Sequence, residues 1–195
     1  MPSKPTLRVG VVAGEYSGDR LGSGIIEALK INYNVQLFGV GGPEMINQGL
    51  NSEFDFKKLH IMGLIEPLLN LRELTKLRKN LIQKFAYEDI DYFIGVDSPD
   101  FNMGIHKALK NKKIGKNIQI VSPSVWGWRQ GRIKSIKKYI DFTACLFNFE
   151  DNFYKERGLN SIHLGHPFSE IMNADVLDVK SKFNRRRDSS YCRIF

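Results

Sequence analysis

Leu7-Arg-Val-Gly-Val-Val-Ala-Gly-Glu-Tyr-Ser-Gly-Asp19 is an apolar, β-branched run that breaks at a glycine-containing turn and leads into the helix-like segment Asp19 to Ile31. A strand, a tight turn and an amphipathic helix in that order form the first half of a β-α-β unit. The same alternation recurs along the chain. Short β-rich runs fall at Val35 to Val40, Tyr92 to Val96, Ile118 to Val121, Phe142 to Leu146 and Ser161 to Leu164, and helix-like segments at Pro67 to Tyr87, Asn102 to Asn111, Gln130 to Tyr139 and Glu150 to Arg157. This order predicts an α/β fold with a doubly wound parallel sheet and helices on both faces. Right-handed crossovers then gather the loops after the strands along one edge, where such sheets bind ligands.

The 195 residues fit one domain with a normal apolar share. Of the 29 lysines and arginines and 21 acids behind the net charge of +8, six basic residues and one acid lie in residues 180–195. The excess charge therefore belongs mostly to the tail, and a distributed nucleic-acid face is not indicated. Two cysteines, Cys145 and Cys192, make neither a disulfide framework nor a metal set, and fit a reducing cytoplasm. The first residues lack the apolar core of a signal peptide, and no stretch reaches the roughly 20 apolar residues of a membrane span. Residues 1–178 are expected to form the domain, and 179–195 a basic tail that from Asn184 has neither helix nor strand periodicity.

The unusual residues collect at the strand ends. Gly14 to Asp19 does not have the spacing of a dinucleotide fingerprint. Glu15, Ser17 and Asp19 supply acceptors and a hydroxyl that suit sugar hydroxyls or the orienting of a neighbour, unless Ser17 or Asp19 simply caps the helix. Asp97 and Asp100 bracket Pro99 after a strongly apolar strand, which puts at least one carboxylate at the edge, where a general base would stand; the alternative is that they brace the turn and cap the next helix. Ser122 to Arg132 holds both tryptophans, Trp126 and Trp128, with Ser122, Ser124, Arg129 and Arg132. That set suits either a pocket for a ringed, negatively charged ligand or two core indoles beside a basic helix start. His60, His106 and His163 stand alone and read as satisfied or exposed rather than catalytic, and Gly165-His-Pro167 is a turn where a second domain could begin. The segment Ile61 to Leu71 is apolar on nearly all sides and rimmed by Arg72, Lys76, Arg78 and Lys79, so it fits core packing or docking on an anionic bilayer through Met62, Leu64, Ile65, Leu68 and Leu69.

Taken together, Val12-Ala-Gly-Glu-Tyr-Ser-Gly-Asp19, Gly39-Val-Gly-Gly-Pro43, Ile61-Met-Gly63, Gly95-Val-Asp-Ser-Pro-Asp-Phe-Asn102, Val121-Ser-Pro-Ser-Val-Trp-Gly-Trp-Arg-Gln130 and Leu164-Gly-His-Pro167 resemble the lipid-A-disaccharide synthases over about Leu7 to Asp178. The resemblance implies the N-terminal, acceptor-side half of a GT-B inverting glycosyltransferase, with a Rossmann-like domain. It implies transfer of diacylated glucosamine from its UDP derivative to the 6-hydroxyl of diacylglucosamine 1-phosphate, giving a β-1,6 disaccharide and UDP. It further implies a cytoplasmic protein held peripherally at the inner membrane, with no cofactor and no metal. On that pattern Asp97 is the base, Glu15 and Ser17 orient it or the acceptor, and Arg129 meets a phosphate or developing charge. Ser124, Trp126 and Trp128 line the cleft, and Asp19, Asp100, Asn102, Ser122 and His166 are further substrate-binding candidates. The family continues into a second, donor-binding domain that this sequence lacks, so a catalytically inactive lipid- or membrane-binding domain is the alternative expectation.

Overall fold

The first strand, β1 (Thr6–Ala13), is buried along its second half on both sides, since Val9, Val11, Val12 and Ala13 are all at most 1% exposed. Only a central strand between two helical layers removes both faces from water. The computed structural model describes residues 3–59, 71–127 and 130–165. In them β1 is followed by α1 (Tyr16–Asn32), β2 (Asn34–Val40), α2 (Pro43–Asn47), α3 (Leu71–Tyr87), β3 (Tyr92–Val96), α4 (Pro99–Lys112), β4 (Lys116–Ile120), a 3-10 turn (Gln130–Arg132), α5 (Ile133–Tyr139), β5 (Phe142–Cys145), α6 (Asn148–Glu156) and β6 (Ser161–His163). The six strands pair in the order β2-β1-β3-β4-β5-β6, all parallel, with Val9 opposite Leu37 on one side and Tyr92 on the other. The sheet is the α/β doubly wound, Rossmann-like arrangement that the alternation predicts.

Two cores sandwich the sheet. On one face Val9, Val11, Ala13, Ile94, Val96 and Ile120 pack with Ile26 of α1 and Met45 of α2. On the other, Val12 and Phe93 meet Leu81 and Phe85 of α3 and Ile105 and Leu109 of α4. Phe85 and Phe93 lie 5.5 Å apart between their centroids, and burying a side chain of that size contributes about 2–3 kcal/mol. A third cluster, Val125, Ile136, Cys145 and Tyr154, closes the far end beneath α5 and α6.

The chain reverses its winding between β1 and β3: α1 leads outward to β2, and the return crosses to β3 on the other side of β1. The loops after β1 and β3 therefore diverge at a switch point, the place in such sheets where a crevice forms.

Several boundaries differ from the expected ones for physical reasons. Helix α1 begins at Tyr16 rather than Asp19, because Glu15 is its extended N-cap residue and Asp19 is engaged elsewhere. Helix α4 begins at Pro99 rather than Asn102: Pro99 occupies the first turn, where a missing N–H costs nothing. Strand β4 stops at Ile120, since Val121 turns left-handed at φ 69°. Helix α2 is an element the sequence did not announce. Met62, Leu64, Ile65, Leu68 and Leu69, the Pro67 to Asn70 start of the expected second helix, Trp128, Arg129, His166 and the basic tail lie outside the described residues.

Candidate functional site

The switch point brings the β1 and β3 turns together. Gly14 abuts the Ser98 side chain, so a side chain there would collide with it, and the Cβ of Asp97 sits 3.5 Å from the place where one on Gly18 would start. The first turn of α1 thus lies directly against Asp97, and the positive end of a 17-residue helix favours an anion at that spot.

Asp97 and Ser98 both have left-handed backbones, φ 53° and 39°. Non-glycine residues in that region cost of order 1–3 kcal/mol each, and they persist where surrounding bonds over-determine them. Here the bonds are visible. The Asp97 N–H donates to Ile120 at 3.0 Å, and its carbonyl accepts from Asn102 Nδ2 at 2.8 Å and Gln119 Nε2 at 3.1 Å. The backbone is clamped, while the Asp97 side chain stands half-buried at the edge beside half-buried Glu15 and exposed Ser17.

Asp19 has a different fate. It is 1% exposed, and its carboxylate accepts the N–H groups of Gly42, Glu44 and Met45 at 2.8, 2.9 and 3.1 Å. It therefore caps α2 from a distance and joins α1 to the loop after β2. Asn102, fully buried, serves the Asp97 turn rather than the surface. Asp100 is exposed in the first turn of α4 and forms an ion pair with Arg132, tying that helix to the 3-10 turn.

The segment after β4 forms a second wall. Ser122 is buried and hydrogen-bonded to the Tyr154 hydroxyl at 3.1 Å, whereas Ser124 is exposed. Trp126 is 42% exposed, donates its indole N–H to Glu150 at 3.1 Å, and meets Phe149 edge-on at 4.9 Å. Glu150 also accepts the Phe147 N–H at 3.2 Å, so one carboxylate fixes both the start of α6 and the indole. The indole is thereby a rigid, half-open face.

Burial pushes the Tyr154 phenol well above its usual range and, with Glu150 and Asp151, the Cys145 thiol up to about 12, so both are inert under ordinary conditions. Burial holds His106 down to about 4 against hydrogen bonds with Gln119 and Asn117 that pull the other way. Among the described residues no group of three or more His, Cys, Asp or Glu is placed to hold a metal ion.

Sequence reasoning passed over Gln119, Glu150 and Tyr154. Glu150 had a signal: it stands three residues after Phe147 at a helix start, where a side chain returns to the first free N–H. Gln119 and Tyr154 had none, because their partners lie on other strands and helices.

A family model described as lipid-A-disaccharide synthetase matches residues 9–187, which cover the sheet from Val9 onward and run into the basic tail. The chain belongs to the lipid-A-disaccharide synthetase family. It is 38% identical over 189 residues to the lipid-A-disaccharide synthase of Acinetobacter baylyi, covering 95% of this chain and 48% of that protein. It is 46% identical over 168 residues to the one from Pseudomonas fluorescens, covering 86% and 45%. With lipid-A-disaccharide synthase 2 of Legionella pneumophila the identity is 39% over 193 residues, covering 97% and 50%. The chain thus spans about half the length of the curated relatives it matches. In fold it is similar to the UDP-GlcNAc 2-epimerase of Neisseria meningitidis, at a TM-score of 0.55 and 11% identity, over 98% of this chain and 54% of that one. The synthetase family and the two-winged sheet therefore agree, and no helix among the described residues is long and apolar enough to cross a membrane.

Proposed function

We propose that this chain forms the acceptor-side half of a lipid-A-disaccharide synthase. The reaction transfers a diacylated glucosamine from UDP to the 6-hydroxyl of diacylglucosamine 1-phosphate. Asp97 takes the hydroxyl proton as the acceptor oxygen bonds to the anomeric carbon on the face opposite UDP, the bond from that carbon to the UDP oxygen breaks, and UDP leaves with the electron pair. Inversion gives the β linkage.

The observation that carries this reading is the clamped Asp97 turn. Its backbone bonds fix a half-buried carboxylate at the switch point, against the first turn of α1. A base whose backbone is fixed before the substrate arrives has less orientational freedom left to lose in the transition state. Glu15 and Ser17, on the neighbouring turn, orient the acceptor or the base, and Arg129 is the candidate for its phosphate. Trp126 presents an indole face to a sugar ring, with Ser122 and Ser124 in the same wall and Asp100 and His166 as outer candidates. Asp19 and Asn102 contribute through the turns they hold.

Both substrates carry acyl chains, so the reading includes a cytoplasmic protein docked on the inner membrane through Met62, Leu64, Ile65, Leu68 and Leu69. Serine at the last four should release the chain from anionic vesicles while leaving its melting curve unchanged; unaltered partitioning would remove the membrane part alone.

The enzymatic part is tested by supplying the C-terminal half of the Acinetobacter baylyi relative as a separate polypeptide and following radiolabelled sugar into the disaccharide. Transfer should need both halves, and Asp97→Asn should slow it by about 10³-fold. Binding of diacylglucosamine 1-phosphate with no transfer under any combination would leave a lipid-binding domain instead.

A further inference from the structure

Building on the reading of Asp97 as the base, we propose that Gln119 and His106 are positioning residues: together they hold the Asp97 turn in its left-handed form and lock it to the left-handed turn at Val121.

Gln119 is the penultimate residue of β4, 1% exposed, opposite Gly95 on β3 in the sheet register. A side chain on Gly95 would come within 2.8 Å of the Gln119 amide oxygen and 3.0 Å of Asn102, so the glycine leaves the room in which the amide lies. From that gap the two N–H bonds of Nε2 face three carbonyls, those of Asp97 at 3.1 Å, Ile120 at 3.0 Å and Val121 at 3.3 Å, so that one hydrogen is shared between two of them. The first belongs to the turn after β3 and the last to the turn after β4. One buried amide therefore reaches both strained turns, φ 53° at Asp97 and φ 69° at Val121, and the second of these launches the Ser122 to Trp126 wall.

The amide works only in one orientation. Reversed, it would set its oxygen against three carbonyl oxygens. The carbonyls set that orientation, and His106 completes it as the partner of the amide oxygen. Its Nε2 lies 3.0 Å from Gln119 Oε1, and with Nε2 of the amide already donating, Oε1 must accept, which places the imidazole proton on Nε2. His106 is itself fully buried, braced edge-on by Phe93 at 4.8 Å. An amide that only completed its own strand would have no reason to bond the end of the neighbouring one. This one fixes the relative height of the base and the aromatic wall, a distance on which orientation-dependent catalysis is steep.

The test uses the 195-residue chain with Gln119→Met, His106→Phe and His106→Gln, and Leu81→Ala as a destabilised control in the α3 core. The Asp97 and Val121 Cα and Cβ chemical shifts are read by NMR, and kcat and KM by the two-polypeptide transfer assay. Gln119→Met and His106→Phe should move both residues' shifts together out of the left-handed range. They should lower kcat by about tenfold to a hundredfold with KM little changed. His106→Gln, which returns an N–H to Oε1, should recover most of both readouts, and Leu81→Ala should leave them in place. Unchanged shifts at Asp97 and Val121 in a folded Gln119→Met chain would overturn the proposal, as would a kcat within about twofold of the unsubstituted chain. If Gln119→Met does not fold, the His106→Phe and His106→Gln pair decides by the same criteria. Should the unsubstituted chain give no transfer at all, the proposed function fails, and the NMR readout still decides whether the clamp exists.

Discussion

Two aspartates at the same edge of the sheet are treated in opposite ways. At Asp19 the side chain is bound: three backbone N–H groups converge on its buried carboxylate. At Asp97 the main chain is bound, through two side-chain amides on its carbonyl, and the carboxylate is left half-open. A carboxylate saturated by N–H groups is a structural joint. One whose backbone is pinned while the residue stays half-buried at the edge gives the geometry on which the proposed base rests.

The largest effect that sharpens this contrast concerns the clamp behind Asp97. His106 is neutral in the folded chain because burial depresses its pKa from 6.5 to about 4. Between those values the unfolded chain binds a proton that the folded chain does not. Stability should therefore be complete above pH 6.5 and fall as the pH drops toward 4, by roughly 3 kcal/mol in all. Urea denaturation at pH 7 and pH 4, with His106→Gln as reference, measures it; equal pH dependence in both chains would mean that His106 is not the buried neutral group described.

How far the sequence disclosed this contrast depends on what each residue needs. The six strands were legible because short β-rich runs alternate with helical segments, and the runs of β1 and β3 are apolar enough to be buried on both faces. Asp97 and Glu15 were legible as strand-end residues. That Asp19 is a joint was not, since its partners Gly42, Glu44 and Met45 are more than twenty positions away and the helix they begin has five residues. Gln119 in Ile118-Gln-Ile-Val121 has the look of ordinary alternation. Only the register opposite Gly95 reveals the gap that receives it. Short-range periodicity specifies elements, whereas a bond between the ends of two strands leaves no periodic trace.

A smaller effect separates the aspartates themselves. Asp19→Asn keeps the shape but turns one acceptor into a donor facing N–H groups, which should cost about 2 kcal/mol of unfolding free energy. Transfer per folded molecule should change by less than about threefold, because the side chain serves packing rather than chemistry. A stable Asp19→Asn chain with lost transfer would break the contrast. Smallest of all is the Asp100–Arg132 pair. With the Asp100 and Arg132 side chains 72% and 31% exposed, the pair is open to solvent on its acidic side, and Arg132→Gln should alter stability by under about 1 kcal/mol. Chemical denaturation at low and high salt would detect anything larger.

The contrast is tested most directly by carboxylate NMR on chain labelled with ¹³C at the aspartate side chains, titrated with diacylglucosamine 1-phosphate in mixed micelles. The account predicts that the Asp97 carboxylate resonance moves with ligand while that of Asp19 stays where it was. A shift at Asp19 with none at Asp97 would contradict it.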